Sequence, residues 1–422
     1  VFYAWAGYWL GGGIGFGGCG RGATAEIVVT VGEFWEMMWG KDVDLAMGGG
    51  DEWTARAWVA VDPPMDGILI DAMADPFSET AEWVKPGMAK ERADMLGRLK
   101  SWRDSALKEK GRDEGWPEEE VSSRFGVVVA ALVLESRLLA LSGDEAGARS
   151  QAIETLVVAR EAVESAPGLV KADIFPSFLI AAEAVTQFQL EPDEVSAVLE
   201  QLDLNLVETI GNSIDGEFNE TKLSGILELL NGGRDAAEVL VAVDPMELGG
   251  ESGVQSELQK LLDGARSVVN IEKSAQLAKE LYESKAPATF DELRTKRAKL
   301  DERVVSAWGI DVLSQRPEKW DMAMVGKAVG ASDNAVGVLV FAQIERNWMT
   351  KIESAYMTQM NLDAIRMSLG GKYGVEIELV DRLTGEPYVV DQTSGVLRSS
   401  LVEVDPQFIF VNQIVQNGVP LL

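Results

Sequence analysis

Ser105-Ala106-Leu107-Lys108 and Ser332-Asp333-Asn334 are the two stretches whose residue types and spacing match a known way of making a covalent bond without histidine. In an S-x-x-K arrangement the serine opens a buried helix, and a lysine stripped of water loses its proton and serves as base for the serine hydroxyl. Acyl transfer is the chemistry this would do. The context opposes it. Ser105 lies in Trp102-Arg103-Asp104-Ser105-Ala106-Leu107-Lys108-Glu109-Lys110, a charged stretch that predicts exposure. A solvated Lys108 keeps an ordinary high pKa and makes a poor base. Ser332-Asp333-Asn334 reads more simply as the N-terminal cap of a long helix.

The two stretches are similar to two of the three elements of penicillin-recognising serine enzymes; the third, Lys-Thr-Gly, does not occur. A Ser105/Lys108 acyl-transfer hydrolase therefore stands only as an alternative reading. Other chemistries are excluded by composition. The 422-residue chain has no histidine and one cysteine, Cys19. Ser-His-Asp and Cys-His triads, thiolate or imidazole zinc sites, histidine-ligated haem, CxxC redox pairs and internal disulfides each need residues this chain lacks. Asp42, Asp44, Asp51 and Glu52 around Gly48-Gly49-Gly50 could hold calcium through oxygen ligands, but they do not form an EF-hand loop, and a solvated acidic loop is the simpler reading. No catalytic, cofactor-binding or metal-ligating residues are assigned, no cofactor is implied, and a non-enzyme is expected.

With 68 acidic against 38 basic side chains, a net charge of −30 opposes binding to nucleic acid, whose phosphates would meet a repulsive field. The same charge suits a solvated surface, cation-rich surroundings or a basic partner. A hydrophobic fraction of 46% with 25% charged residues marks a globular chain.

The opening on Val1 reads as a processed or missing start, and residues 1–20 carry no charge. Twenty such residues are enough to span a bilayer, Phe2, Tyr3, Trp5, Tyr8 and Trp9 suit an interfacial belt, and Gly7, Gly11 and Gly15 fall at GxxxG spacing. Eight glycines in that stretch make a poor helix, so a glycine-rich segment buried by partners is the competing expectation. Gly13-Ile14-Gly15-Phe16-Gly17-Gly18 matches GxGxxG, yet the strand-like Ala25–Val31 follows too soon for a crossover helix, and a dinucleotide site is rejected. Gly17-Gly18-Cys19 is similar to a lipoprotein cleavage site, with Phe16 where leucine is usual.

The chain divides by pattern into 1–20, an apolar anchor or interface segment; 21–75, a small β-containing region; 76–310, a helical array; 311–370, a linker and long helix; and 371–422, a C-terminal β-hairpin unit. Ile27–Val31 and Ala57–Val61 are the clearest strand-like runs of the second part. Helices are predicted from Pro117 to Leu141 and onward from Asp144 to about Pro167, joined by Ser142-Gly143-Asp144 as an antiparallel αα-hairpin. Further helices are expected over 169–190, 193–209 with Asp193 as cap, 219–231, 254–285 and 289–307. Short connections between amphipathic helices point to a bundle or a tetratricopeptide-like stack, although no 34-residue period is present. A long helix over 332–369 carries Phe341, Trp348, Met349, Tyr356, Met357, Met360 and Met367, a stripe that reads as core. Ile377–Val380, Tyr388–Val390 and Val396–Arg398 are short strands, with turns at 381–387 and 391–395. The fold class is mainly α.

Asp381, Thr384, Gly385, Pro387 and Tyr388 complete a long helix, glycine, then Asp-x-x-Thr-Gly-x-Pro-Tyr ending that resembles the terminal hairpin of pseudopilins. Uncharacterised envelope proteins of planctomycete-type bacteria are similar over about half the chain, including Leu134 to Leu204. Arg382 stands where proline is usual, Gly371-Lys372-Tyr373-Gly374 replaces Gly-x-Tyr-Pro, and the pilin-type glutamate near the start of the helix is missing. The resemblance implies a bacterial cell envelope location, membrane-associated and mostly extracytoplasmic, and no catalytic residues. The expected function is a non-catalytic scaffold or assembly subunit, with protein partners or self-assembly through the helical array and membrane or subunit contact through residues 1–20. A pilin-like filament subunit is the second alternative.

Overall fold

The computed structural model describes residues 53–65, 67–109, 118–217, 270–312, 321–391, 393–401 and 415–421, together with Phe408 and Val411. Within these residues the chain is mainly helical, with a small antiparallel sheet near its C-terminal end. It forms two compact units. Of the described residues, the first contains those of 53–210 and from 353 onward, and the second those of 211–352.

The first unit grows around α4 (Glu118–Leu141). Val128 to Leu134 of this helix is a run of seven apolar residues, each at most 7% exposed, so no face of it is left to water. Such a helix must be covered on several sides. It is packed by α1 (Thr54–Trp58), α2 (Ile68–Ala74), α3 (Ala89–Lys108), α5 (Glu145–Ser165) and α6 (Lys171–Thr186). The turn between α4 and α5 is the Ser-Gly-Asp turn expected from the sequence, with Asp144 accepting from the Gly147 N–H at 2.9 Å as N-cap of α5. The αα-hairpin is thus present. On α3, Met95, Leu99, Trp102 and Ala106 are buried at helical spacing, and the Trp102 indole donates to the Val61 carbonyl at 2.8 Å.

Three sequence expectations are corrected. Ala57-Trp58-Val59-Ala60-Val61 is not a strand: Thr54–Trp58 is helical, and α2 follows it, so the described residues of 53–75 carry no β-structure. The short apolar run is equally compatible with a buried helical turn, and the tertiary context decides. Trp53 donates from Nε1 to the Ala162 carbonyl, Thr54 donates from its N–H to Ser165 Oγ, and Trp58 is buried. These anchors hold the segment against α5. Ile27–Val31 lies outside the described residues. The single helix expected over 193–209 is two, α7 (Pro192–Leu202) and α8 (Leu206–Glu217). Its cap is Glu191 rather than Asp193, because Glu191 and Glu194 form a reciprocal capping box around Pro192. Finally, Ile377–Val380 is not a strand; only Val380 bridges to Pro387.

In the second unit α9 (Ile271–Glu283) and α10 (Phe290–Trp308) are capped by Asn270 and Thr289, each accepting a backbone N–H three residues on. α11 (Met322–Ala331) begins at Asp321, whose carboxylate accepts from Ala323 and Met324 N–H. It meets α12 (Ala335–Tyr373) at a bend of 104°. α12 is 39 residues long, and its Phe341, Trp348, Met349, Tyr356 and Met360 are all buried, which makes the Met and aromatic stripe core as read from the sequence. Among the described residues no single helix is long and apolar enough to cross a membrane.

After α12 the chain forms β1 (Val389–Asp391), β2 (Val396–Arg398) and β3 (Val419–Pro420), antiparallel in the order β1-β2-β3. Val390 pairs with Leu397, and Leu397 with Val419. Leu397 and Val419 pack with Met360 and Ala364 of α12.

Phe178 of α6 is fully buried, so Phe178→Ala should cost about 3–5 kcal/mol of unfolding free energy. Asp144→Ala, which removes only a cap, should cost about 1 kcal/mol. Denaturant titration of both variants checks the ranking, and equal costs would contradict a core centred on α4–α6.

Candidate functional site

Among the described residues, a set of buried polar side chains lies in the first unit, where the last turns of α12 meet the C-terminal sheet. Asp363, on α12, is 1% exposed. A carboxylate there has lost its water and needs replacement donors. Gln359, one turn earlier, donates from Nε2 to Asp363 Oδ1 at 3.0 Å, and Tyr388 donates its phenol to Oδ2 at 2.9 Å. Arg366 approaches Oδ1 at 3.7 Å. Burial pushes the Asp363 carboxyl above its usual range, while Gln359, Tyr388 and Arg366 pull it back. Burial also pushes the Tyr388 phenol up, with Asp363 adding to the effect, so the phenol stays protonated as the donor.

The two helix residues that serve Asp363 reach further. Gln359 uses its Oε1 to accept the Leu206 N–H at 2.8 Å, in the first turn of α8, and Arg366 pairs with Asp203 at 2.8 Å. About two turns of α12 thus hold the α7–α8 connection and the sheet. Near the end of α12, Lys372 donates to the Phe188 carbonyl at 3.1 Å just beyond the C-terminus of α6, a position where a cation also suits the helix dipole. Tyr373 accepts the Leu190 N–H at 2.7 Å.

Asp381, also 1% exposed, organises the turn that carries Tyr388 to Asp363. Its Oδ1 accepts the Leu383 N–H at 2.9 Å. Its Oδ2 accepts from Thr384 Oγ1 and the Ser400 N–H, each at 3.2 Å, and from Ser399 Oγ. The backbone closes the turn, with Gly385 N–H to the Asp381 carbonyl at 2.7 Å. Ten residues on the device repeats. Asp391 accepts from the Thr393 and Ser394 N–H groups and from Ser394 Oγ, and Gly395 N–H reaches the Asp391 carbonyl at 2.8 Å. Hydrogen bonding from Ser394 holds the Asp391 carboxyl below its usual range. Asp381-x-x-Thr384-Gly385 and Asp391-x-x-Ser394-Gly395 are therefore one motif used twice. Each glycine has φ near +70° (77° and 62°), which other residues rarely adopt. Both aspartates face N–H and O–H donors, a set that stabilises an anion and repels a cation.

The residues singled out for chemistry fall elsewhere. Ser105 and Lys108 are exposed on α3, and Ser105 Oγ donates to the Ser101 carbonyl of its own helix at 2.9 Å. Ser332-Asp333-Asn334 occupies the bend before α12, but Asn334 does not spend its carboxamide on that helix. Its Oδ1 accepts from the Asn270 N–H and Ser274 Oγ, both at 3.0 Å, tying α9 to the bend. Cys19 and the acidic loop at 42–52 lie outside the described residues. Among the described residues no three His, Cys, Asp or Glu side chains converge to hold a metal.

Sequence reasoning found Asp381, Thr384, Gly385, Pro387 and Tyr388 through the hairpin pattern, but missed Asp363 and Gln359. Their i, i+4 spacing on an otherwise apolar helix face was the available signal. It missed Glu135 as well, fully buried directly after the apolar run of α4 with Arg103 at 3.4 Å. Burial pushes the Glu135 carboxyl up, as it does that of Glu183, which also faces Asp75.

Tyr388→Phe removes one donor from the buried carboxylate, and should cost about 1.5–3 kcal/mol by denaturant titration, while Tyr282→Phe, at a half-exposed ring, should cost little. Glu135, Glu183 and Asp363 all have folded-state pKa values raised above the unfolded value of about 4. The native state then binds more protons. The stability these groups contribute is complete below about pH 4 and is lost as pH rises through each raised pKa. Thermal unfolding midpoints should therefore rise as the pH is lowered through the raised pKa values toward about 4. Glu135→Gln should flatten that rise, and Glu161→Gln, at an exposed site, should not. No protein-family model, no curated protein and no solved structure matches this chain.

Proposed function

We propose that the protein is a non-catalytic scaffold or assembly subunit of a bacterial cell-envelope or membrane-associated complex. The observation that carries this reading is the direction in which the buried polar groups are used. Asp363, Asp381, Gln359 and Tyr388 direct their hydrogen bonds to one another and to the backbone, so this cluster joins helices to the hairpin. A site of this kind serves rigidity. The hairpin that closes on Asp381 and Tyr388 is the part that resembles the pseudopilin ending, and it sits on the long helix that such a module needs as its spine.

In this reading the helices α3–α7 supply the partner surface, in the manner of a bundle or a tetratricopeptide-like stack. The uncharged residues 1–20, rich in glycine and aromatic side chains, supply the anchor to membrane or neighbouring subunit. The acidic surface, at a net −30, selects basic or cation-bridged partners and disfavours nucleic acid.

Fractionation of the native protein followed by its mass in mild detergent tests this role. Extraction only with detergent, at a mass well above one 45.7 kDa chain, is the expected result. Release as a monomer without detergent would remove both the anchor and the assembly roles. Helical polymers by electron microscopy, with residues 1–20 at their centre, would instead identify a filament subunit.

A further inference from the structure

The second unit holds a cleft of about 560 Å³ at the bend between α11 and α12, walled by α9 and α10. Its size lies within the range of small-molecule sites. Leu277, Ala307, Ala328, Ala331 and Val338 give it an apolar wall, and Lys273, Arg303 and Asn334 are among its polar lining residues. Asp333 is the one acid in the lining, against two cations. In a chain of net charge −30 this is a local reversal of sign.

The two cations are not equivalent. Lys273 is committed to Asp333 in a close pair, and that pairing holds the Asp333 carboxyl below its usual range. Arg303 has a single weak contact, Nη1 to Glu345 Oε2 at 3.4 Å, and its side chain is 33% exposed. A guanidinium has five N–H donors, so most of its capacity remains at the cleft it lines. Burial pushes the Glu345 carboxyl up, which weakens it as a counter-ion. Asn334 lies behind these side chains as a largely buried lining residue. Its Oδ1 is fixed by the Asn270 N–H, which sets the orientation of the amide, and its buried Nδ2 has no hydrogen-bond partner. Asn334 itself is 3% exposed, so the unpaired donor carries a desolvation cost.

We propose that this cleft binds a small monocarboxylate with an aliphatic body, its carboxylate on the open face of Arg303 and its chain against Leu277, Ala328 and Val338. The planar fork of the arginine matches a carboxylate in two parallel hydrogen bonds. The aliphatic wall gives the ligand a reason to enter that inorganic phosphate lacks, and Asp333 at the rim disfavours a dianion. This inference is independent of the scaffold role.

Calorimetric titration of the full chain with octanoate, below its micelle-forming concentration, tests it. One saturable site per chain is expected, with octylamine and inorganic phosphate failing to bind or compete. Arg303→Gln should weaken octanoate by roughly tenfold or more, the loss typical of a charge-assisted pair. Arg294→Gln, on the exposed side of α10 and paired with Asp291, should leave affinity unchanged. Ser306→Trp, at an exposed lining residue, fills the cleft while keeping Arg303, and gives the same reading if Arg303→Gln unfolds the chain. Absence of octanoate binding, equal affinity in the Arg303→Gln and Arg294→Gln chains, binding undiminished in Ser306→Trp, or equal competition by phosphate or octylamine would each overturn the proposal.

Discussion

A carboxylate withdrawn from water has to be surrounded by donors, and the arrangement of the first unit follows from how Asp363 meets that requirement. Its donors come from two directions, Gln359 along the same helix and Tyr388 from the hairpin. Tyr388 can reach it only if the turn at Asp381 is closed, and Asp381 is itself buried among four donors. Gln359 cannot rotate to serve another group, because its carbonyl end holds the start of α8. Each contact limits the next, so the site behaves as a network whose members are worth more together than singly.

The same logic explains why α12 is long. Its early residues supply core to the second unit and its later residues supply Asp363, Arg366, Lys372 and Tyr373 to the first. A helix of ordinary length would reach one of these tasks. Its low amphipathicity, visible as apolar and polar residues mixed around the whole circumference, follows from having neighbours of different kinds along its length.

The elements most legible in the sequence were those with strong local signals. The α4–α5 hairpin showed through a continuous apolar run, a Ser-Gly-Asp turn and a capping aspartate. The hairpin turns showed through Asp, Thr and Gly at fixed offsets. Local signals failed where a distant partner decided the outcome. Ala57–Val61 is helical in its first half because Trp53 and Thr54 find partners more than a hundred residues away. The helix break at 203–205 is set by Arg366 and Gln359, neither of which is near it in the chain. The candidate site followed the same division. Asp381 and Tyr388 belong to a turn motif, whereas Asp363 is marked in the sequence only by its i, i+4 spacing from Gln359 and takes its role from what folds onto it.

Among the described residues the first unit is assembled from two stretches of chain, 53–210 and 353 onward, with residues 211–352 of the second unit between them. During synthesis α4, α5 and α6 can pair as soon as they emerge, since their contacts are local. The carboxamide that receives Leu206, the lysine beyond the end of α6 and the arginine for Asp203 are made only after the second unit has been translated. Until then the α7–α8 connection and the exit of α6 present bare backbone groups and uncovered apolar surface. Vectorial folding of this chain therefore passes through a stage in which α4–α6 have paired while their later partners on α12 are still to be made, and that stage is when a chaperone or an assembly partner would find it most receptive.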